Sequence, residues 1–399
     1  MQSQHGRSSA RSGGPVVNPF GLSGVLTQSF RSMPAAADLD GDGDVDLLVG
    51  ESDGSFAYFE NIASAGAAPE FAEQIQNPFG LEAIPQRNGA APSVADLDGD
   101  GDLDVLAGSR FQGAFMYFEN VAGPGGMPSF ASAVSNPFGL TGLSGGPVPV
   151  VVDLDGDSDP DILSGERLND GRFFYYENTA GPNTTPAFAP RVTNPFGLGD
   201  IGFDSTPNVG DLDGDGDLDI LAGEREGELF FFENVAGPGA QVTFAAAVQN
   251  PFGLGDVGLY SAPVIVDLDG DDRLDVIVGE YEGNLFYFEN ATSAVPNFEP
   301  AVQDPFELAR IRGIPRNSTP SVADLDSDGD LDVLSGELRG DFSFFENLAG
   351  PDADPAFADA VLNPFGESVW TCRFRRPKLG TRAKRDGPRW RRRSGRTCR

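Results

Sequence analysis

The chain has 399 residues, with 61 Asp and Glu against 27 Lys and Arg, a formal net charge of −34. So acidic a surface repels nucleic acid and anionic membranes unless cations are bound to it. No run of about 18 apolar residues occurs, so no membrane-spanning helix is expected, and both cysteines, Cys372 and Cys398, lie close to the C-terminus, leaving the remainder without a disulfide.

Residues 1–14 are polar, include the only histidine, His5, and show no apolar leader segment. From Pro15 to Gly366 a single pattern repeats. Asp-Leu-Asp opens at Asp38, Asp96, Asp153, Asp211, Asp267 and Asp324, at intervals of 56 to 58 residues. Such a period marks a repeat architecture. Each copy continues with an apolar stretch, a glycine, an aromatic run ending in Glu-Asn, and a loop usually rich in Pro and Gly. A Phe-Ala pair follows (Phe298-Glu299 in the fifth copy), and then Asn-Pro-Phe-Gly, varied once as Asp304-Pro-Phe-Glu307.

In the second copy the predicted strands are Pro92–Ala95, Leu103–Ala107, Ala114–Glu119 and Ser129–Ser135, short and bounded by Gly, Pro, Asn and Asp. Helical periodicity is absent, and 52 glycines and 31 prolines punctuate too often for helices. Segments such as Phe230–Phe232 are apolar at consecutive positions, so both faces of each sheet must be covered. A sandwich array would alternate apolar and polar residues instead. The expected fold is all-β, a β-propeller of four-stranded antiparallel blades.

The loop Asp38-Leu-Asp40-Gly-Asp42-Gly-Asp44-Val-Asp46 places carboxylates at positions 1, 3, 5, 7 and 9. Like charges this dense call for a cation, and hard oxygen donors suit Ca²⁺. Gly41 and Gly43 let the backbone curl so that alternate side chains converge. An EF-hand would need Glu at position 12 and a following helix. Here position 12 is Val49 and the flank is strand-like, which excludes that motif.

The loop and its Gly-ended strand, as in Asp96–Gly108, resemble the FG-GAP/VCBS repeats of integrin α-chain propellers and many exported bacterial proteins. The resemblance covers Pro15 to Gly366. It implies that side chains at loop positions 1, 3, 5 and 9 and the carbonyl at position 7 bind Ca²⁺, about six ions in all. The implied ligands are Asp38, Asp40, Asp42, Asp44 and Asp46 in the first loop, and Asp96, Asp98, Asp100, Asp102 and Asp104 in the second. The third has Asp153, Asp155, Asp157, Asp159 and Asp161; the fourth has Asp211, Asp213, Asp215, Asp217 and Asp219. Asp267, Asp269, Asp271, Arg273 and Asp275 form the fifth, with Arg273 lending only its carbonyl, and Asp324, Asp326, Asp328, Asp330 and Asp332 the sixth. Ser158, Asp272 and Ser327 replace a loop glycine and are expected to strain their turns. Pro160, at position 8 of the third loop, suits the rigid start of a strand.

Other recurring residues read as structure. The aromatic pairs Tyr58-Phe59, Tyr117-Phe118 and Phe344-Phe345 suit a core between sheets. The Glu-Asn pairs, from Glu60-Asn61 to Glu346-Asn347, suit a turn, since six equivalent catalytic sites would be odd. Asn-Pro-Phe-Gly reads as a turn with a Phe anchor. No nucleophile, phosphate-loop or zinc motif is present.

After Gly366 the pattern stops, and 13 basic residues meet 2 acidic ones; this leaves 14 basic and 59 acidic residues before it, a net −45. Asn/Asp-Pro-Phe motifs occur at seven places (residues 18, 77, 136, 194, 250, 304 and 363) but acidic loops at only six. Gly387–Arg399 admits a coding that, read one base later, spells Asp-Leu-Asp-Gly-Asp-Gly-Asp-Leu-Asp-Val-Leu-Ala, the same string as Asp96–Ala107. Residues 367–399 therefore read as a disordered, out-of-frame remnant, and the fold as six complete blades of a seven-bladed parent. Val16–Phe20 would supply the last blade's outer strand. A closed six-bladed ring is the alternative. The expected function is a non-enzymatic, extracellular or cell-surface binding or adhesion module for protein or glycan, with no nucleic-acid partner. A polysaccharide-active lyase or hydrolase is the alternative.

Overall fold

The computed structural model describes residues 32–362, apart from 64–68, 86–88, 111, 168–169, 182–183, 238–240, 293–295, 304–316, 337–341, 350–354 and 358–360. These residues build six sheets, each of four consecutive antiparallel strands in sequence order. In the first blade the strands are Met33–Ala37, Asp46–Gly50, Phe56–Phe59 and Ile75–Gln76. The chain is an all-β, six-bladed β-propeller.

First strands contact first strands of both neighbouring blades, so they ring the axis: Met33–Ala37, Ala90–Ala95, Gly146–Val152, Thr206–Gly210, Ala262–Val266 and Thr319–Ala323. Second and third strands are buried almost throughout, as their unbroken apolar runs require. Their side chains meet those of the next blade edge to face, as Phe56 does with Phe118 and Phe173 with Phe232. Fourth strands are only two residues long, shorter than the predicted Ser129–Ser135. Phe130 touches the sheet through a single bridge to Asn120, because the Pro/Gly loop before it breaks the ladder.

The ring closes on six blades. Phe59 of the first blade lies 6.0 Å from Phe342 of the sixth, and both join one cluster with Leu47, Leu325 and Leu334. The sixth blade's face packs on the first, which is the closed six-bladed ring given above as the alternative. Glycine at the end of each second strand permits the approach. A Cβ on Gly223 would stand 2.4 Å from the Ser261 carbonyl oxygen, and one on Gly336 would stand 2.6 Å from that of Ser32. Val16–Phe20, Asp304–Glu307 and the basic tail lie outside the described residues.

Asn-Pro-Phe-Gly does more than turn the chain. Asn77 and Phe79 adopt positive φ (49° and 53°), and the Asn77 side-chain oxygen accepts the Phe56 N–H at 2.9 Å. The Phe79 carbonyl then accepts the Phe130 N–H of the next blade at 2.8 Å. The same joint recurs from Phe138 to Phe188, Phe196 to Phe244 and Phe252 to Phe298. It staples each blade's rim to its neighbour, a role that a single repeat does not reveal.

Candidate metal centres

Each acidic loop joins a blade's first strand to its second, so all six lie at one end of the ring. Position 1 organises the curl. Asp38 accepts backbone N–H groups from Gly41 (2.8 Å), Asp42 (3.1 Å) and Gly43 (3.1 Å). Both glycines have positive φ, 75° and 100°. Ser158, Asp272 and Ser327 hold positive φ as well (76°, 65° and 57°), as expected of turns that lack a glycine.

Position 9 is the buried anchor. The Asn61 backbone N–H donates to Asp46 Oδ1 at 2.8 Å, and Leu39 N–H and the Tyr58 hydroxyl donate to Oδ2 at 3.2 and 2.8 Å. The Asn contact recurs in all six blades at 2.8 Å. The tyrosine recurs as Tyr117, Tyr175 and Tyr287, while the fourth and sixth blades carry Phe231 and Phe344. Glu-Asn therefore ends a strand and also ties it to the acidic loop, a function the sequence reading missed.

Burial pushes Asp46, Asp104, Asp161, Asp219 and Asp275 up to about 7 and Asp332 to about 8, despite the N–H donors that pull them down. Asp40 is raised by burial and then by Asp42. Burial and Asp328 push Asp326 up to about 7. Uncompensated, the loops are crowded with like charge; a cation among them reverses these shifts.

The carboxylates converge as a metal requires. Ligand oxygens of Asp38, Asp40 and Asp42 all lie within 4.8 Å of one another, as do those of Asp96, Asp98 and Asp100 and of Asp267, Asp269 and Asp271. In the third and fourth blades the group is positions 1, 3 and 9: Asp153, Asp155 and Asp161, and Asp211, Asp213 and Asp219. A sixth group completes the set. The donor set is all oxygen, so the loops fit a hard divalent ion.

Position 7 side chains turn elsewhere. Asp102 and Asp159 each use one carboxylate oxygen to accept the Gly123 and Gly181 N–H groups at 2.7 Å, bracing the Pro/Gly loop. Arg273 differs again. Its guanidinium pairs with Asp271 of the same loop and donates through Nε to the Asn290 carbonyl at 2.7 Å. The fifth loop thus holds a built-in cation on one of its own ligands.

The opposite end, where second strands turn into third, carries Arg110, Arg167, Arg172 and Arg225. A cavity there is lined by Met33, Glu51, Arg110 and Arg167. Among the described residues no helix is long and apolar enough to cross a membrane.

The FG-GAP-like repeat family model matches residues 38–107, 153–222, 211–278 and 267–335. Cartilage acidic protein 1 of Xenopus tropicalis is 24% identical over 372 residues, covering 84% of this chain and 52% of that protein. The chain spans about half the length of that curated relative. Among solved structures, an Agrocybe aegerita lectin that recognises non-reducing terminal N-acetylglucosamine is 20% identical, over 84% of this chain and 80% of that one, with a TM-score of 0.49. AofleA from Arthrobotrys oligospora is 10% identical, over 85% and 88%, also with a TM-score of 0.49.

Proposed function

The chain belongs to the FG-GAP-like repeat family, and from that premise we propose a calcium-stabilised, non-catalytic binding or adhesion module that works outside the cell. The sixfold recurrence of converging carboxylates at one end of the ring carries the reading. In each loop the side chains at positions 1, 3, 5 and 9 and the carbonyl at position 7 would hold one Ca²⁺. Six such ions would move the body from −45 to about −33, removing repulsion where it is densest. Extracellular sites of this kind bind at roughly 10⁻⁴ to 10⁻³ M, which suits calcium levels outside the cytosol.

Three of the remaining buried carboxylates are engaged in structural contacts, which supports a non-enzymatic role. Glu166 accepts the Ser144 hydroxyl at 2.6 Å and the Gly145 N–H at 2.9 Å. Glu224 and Glu280 accept N–H groups of their own turns. Ligand recognition for protein or glycan is assigned to the end away from the metal loops. Thermal melting in EDTA and in millimolar Ca²⁺ tests the reading. A rise of many degrees with calcium is expected, and superimposable curves would overturn it.

A further inference from the structure

At the end of the ring opposite the acidic loops, four side chains from two successive blades form a row. Phe203 lies in the connection entering the fourth blade, and Arg225 in that blade's turn between second and third strands. Tyr260 lies in the connection entering the fifth blade, and Tyr281 in that blade's turn between second and third strands. The Arg225 guanidinium stands 5.7 Å from the Phe203 ring and 5.9 Å from the Tyr260 ring, and the Tyr260 and Tyr281 rings are 5.8 Å apart. A backbone ladder holds the row: Arg225 N–H to the Phe203 carbonyl and Tyr260 N–H to the Arg225 carbonyl, both 2.9 Å. Phe203 and Leu259, which occupy equivalent places, are 46% and 44% exposed.

Two features set this row apart from core packing. Arg225 is exposed, and its guanidinium stands close to two aromatic rings. Among the described residues this guanidinium has no ion pair and no side-chain hydrogen bond. Tyr260 also sits at φ 62°. Asp204 and Asn317 occupy the equivalent positions, each before a serine whose hydroxyl accepts a neighbouring Glu N–H, with φ of 60° and 51°. Asp and Asn tolerate that region, whereas a bulky aromatic is strained there. Tyr260 is half-buried and borders the exposed Arg225 and Phe203, a place where kept strain accompanies use.

We propose that this row binds a glycan through a carboxylated sugar. The carboxylate would take the Arg225 edge in a two-point contact, and the apolar face of the sugar ring would lie on the exposed Phe203 ring and beside the half-buried Tyr260. A uronic or sialic acid carries both groups on one ring, whereas a peptide carboxylate brings no flat face with it. The acidic body, with Glu226 and Glu282 beside the row, disfavours densely charged chains and selects an isolated carboxylate. The proposal deepens the binding-module reading and rests on it for the folded ring.

Calorimetry in millimolar Ca²⁺ tests it with oligosaccharides ending in glucuronic acid or in N-acetylneuraminic acid. Their carboxyl-reduced counterparts, heparin and an oligoglutamate peptide complete the set. At least one acidic oligosaccharide should bind, which also tells the two sugars apart, and its reduced form should bind about tenfold or more weakly. Arg225→Lys, which loses the planar fork, should weaken binding about tenfold. Tyr260→Gly should weaken binding while melting at the same temperature as the parent or above it, because it relieves the strained φ. The proposal is overturned by equal binding of the reduced sugar or by undiminished binding in Arg225→Ala. Binding of only heparin or the peptide, or of no probe, overturns it too. Calcium-dependent melting of the same samples judges the module reading separately.

Discussion

The hydroxyl of Tyr58, a fully buried core residue, donates to Asp46 Oδ2 at 2.8 Å, joining the interior of the first blade to its acidic loop. The contact makes the metal end and the hydrophobic core one mechanical unit. Tyr58→Phe should cost about 1 kcal/mol of stability and lower calcium affinity at the first loop. The reverse change, Phe231→Tyr, offers Asp219 a donor that the fourth blade lacks, and should tighten that site. Denaturant titration with and without Ca²⁺ checks both, and identical midpoints for Tyr58→Phe and the parent would refute the coupling.

The six sites should be unequal. Arg273 already neutralises Asp271, and Asp272 holds positive φ where other loops have glycine. Asp98→Ala, in a loop with both glycines, should therefore lose more calcium affinity than Asp269→Ala. Arg273→Asp should strengthen the fifth site by removing the internal cation. Titration calorimetry showing six indistinguishable sites, or the reverse order, would count against this.

Ring closure can be tested at Gly336. If the sixth blade packs on the first, a Cβ there clashes with the Ser32 carbonyl just as one on Gly223 clashes with that of Ser261. Gly336→Ala and Gly223→Ala should then each cost about 1–3 kcal/mol. A neutral Gly336→Ala beside a damaging Gly223→Ala would indicate an open arc.

Residues 367–399 are expected to be an out-of-frame remnant of a further repeat. Genomic DNA should encode Asp-Leu-Asp-Gly-Asp-Gly-Asp one base away from the frame of Gly387–Arg399. Its absence there would end the idea. Restoring the frame should yield a more acidic protein with one more calcium site.

Residue order alone carried the repeat length, the strand-loop-strand unit, the converging aspartates and the burial of the aromatic pairs. All of these depend on contacts within one copy, or between copies with the same pattern. The strained turns at Ser158, Asp272 and Ser327 were legible for the same reason, since φ is a local demand. Ring closure was not. It follows from the angle between neighbouring blade faces, set by how Phe59, Phe342 and Leu334 fill the gap, and no single repeat encodes that angle. The docking of Phe79 on Phe130, the Tyr58–Asp46 bond and the row from Phe203 to Tyr281 likewise exist only because folding brings separate segments together. Their partners are chosen by backbone direction and packing distance, which spacing along the chain does not record.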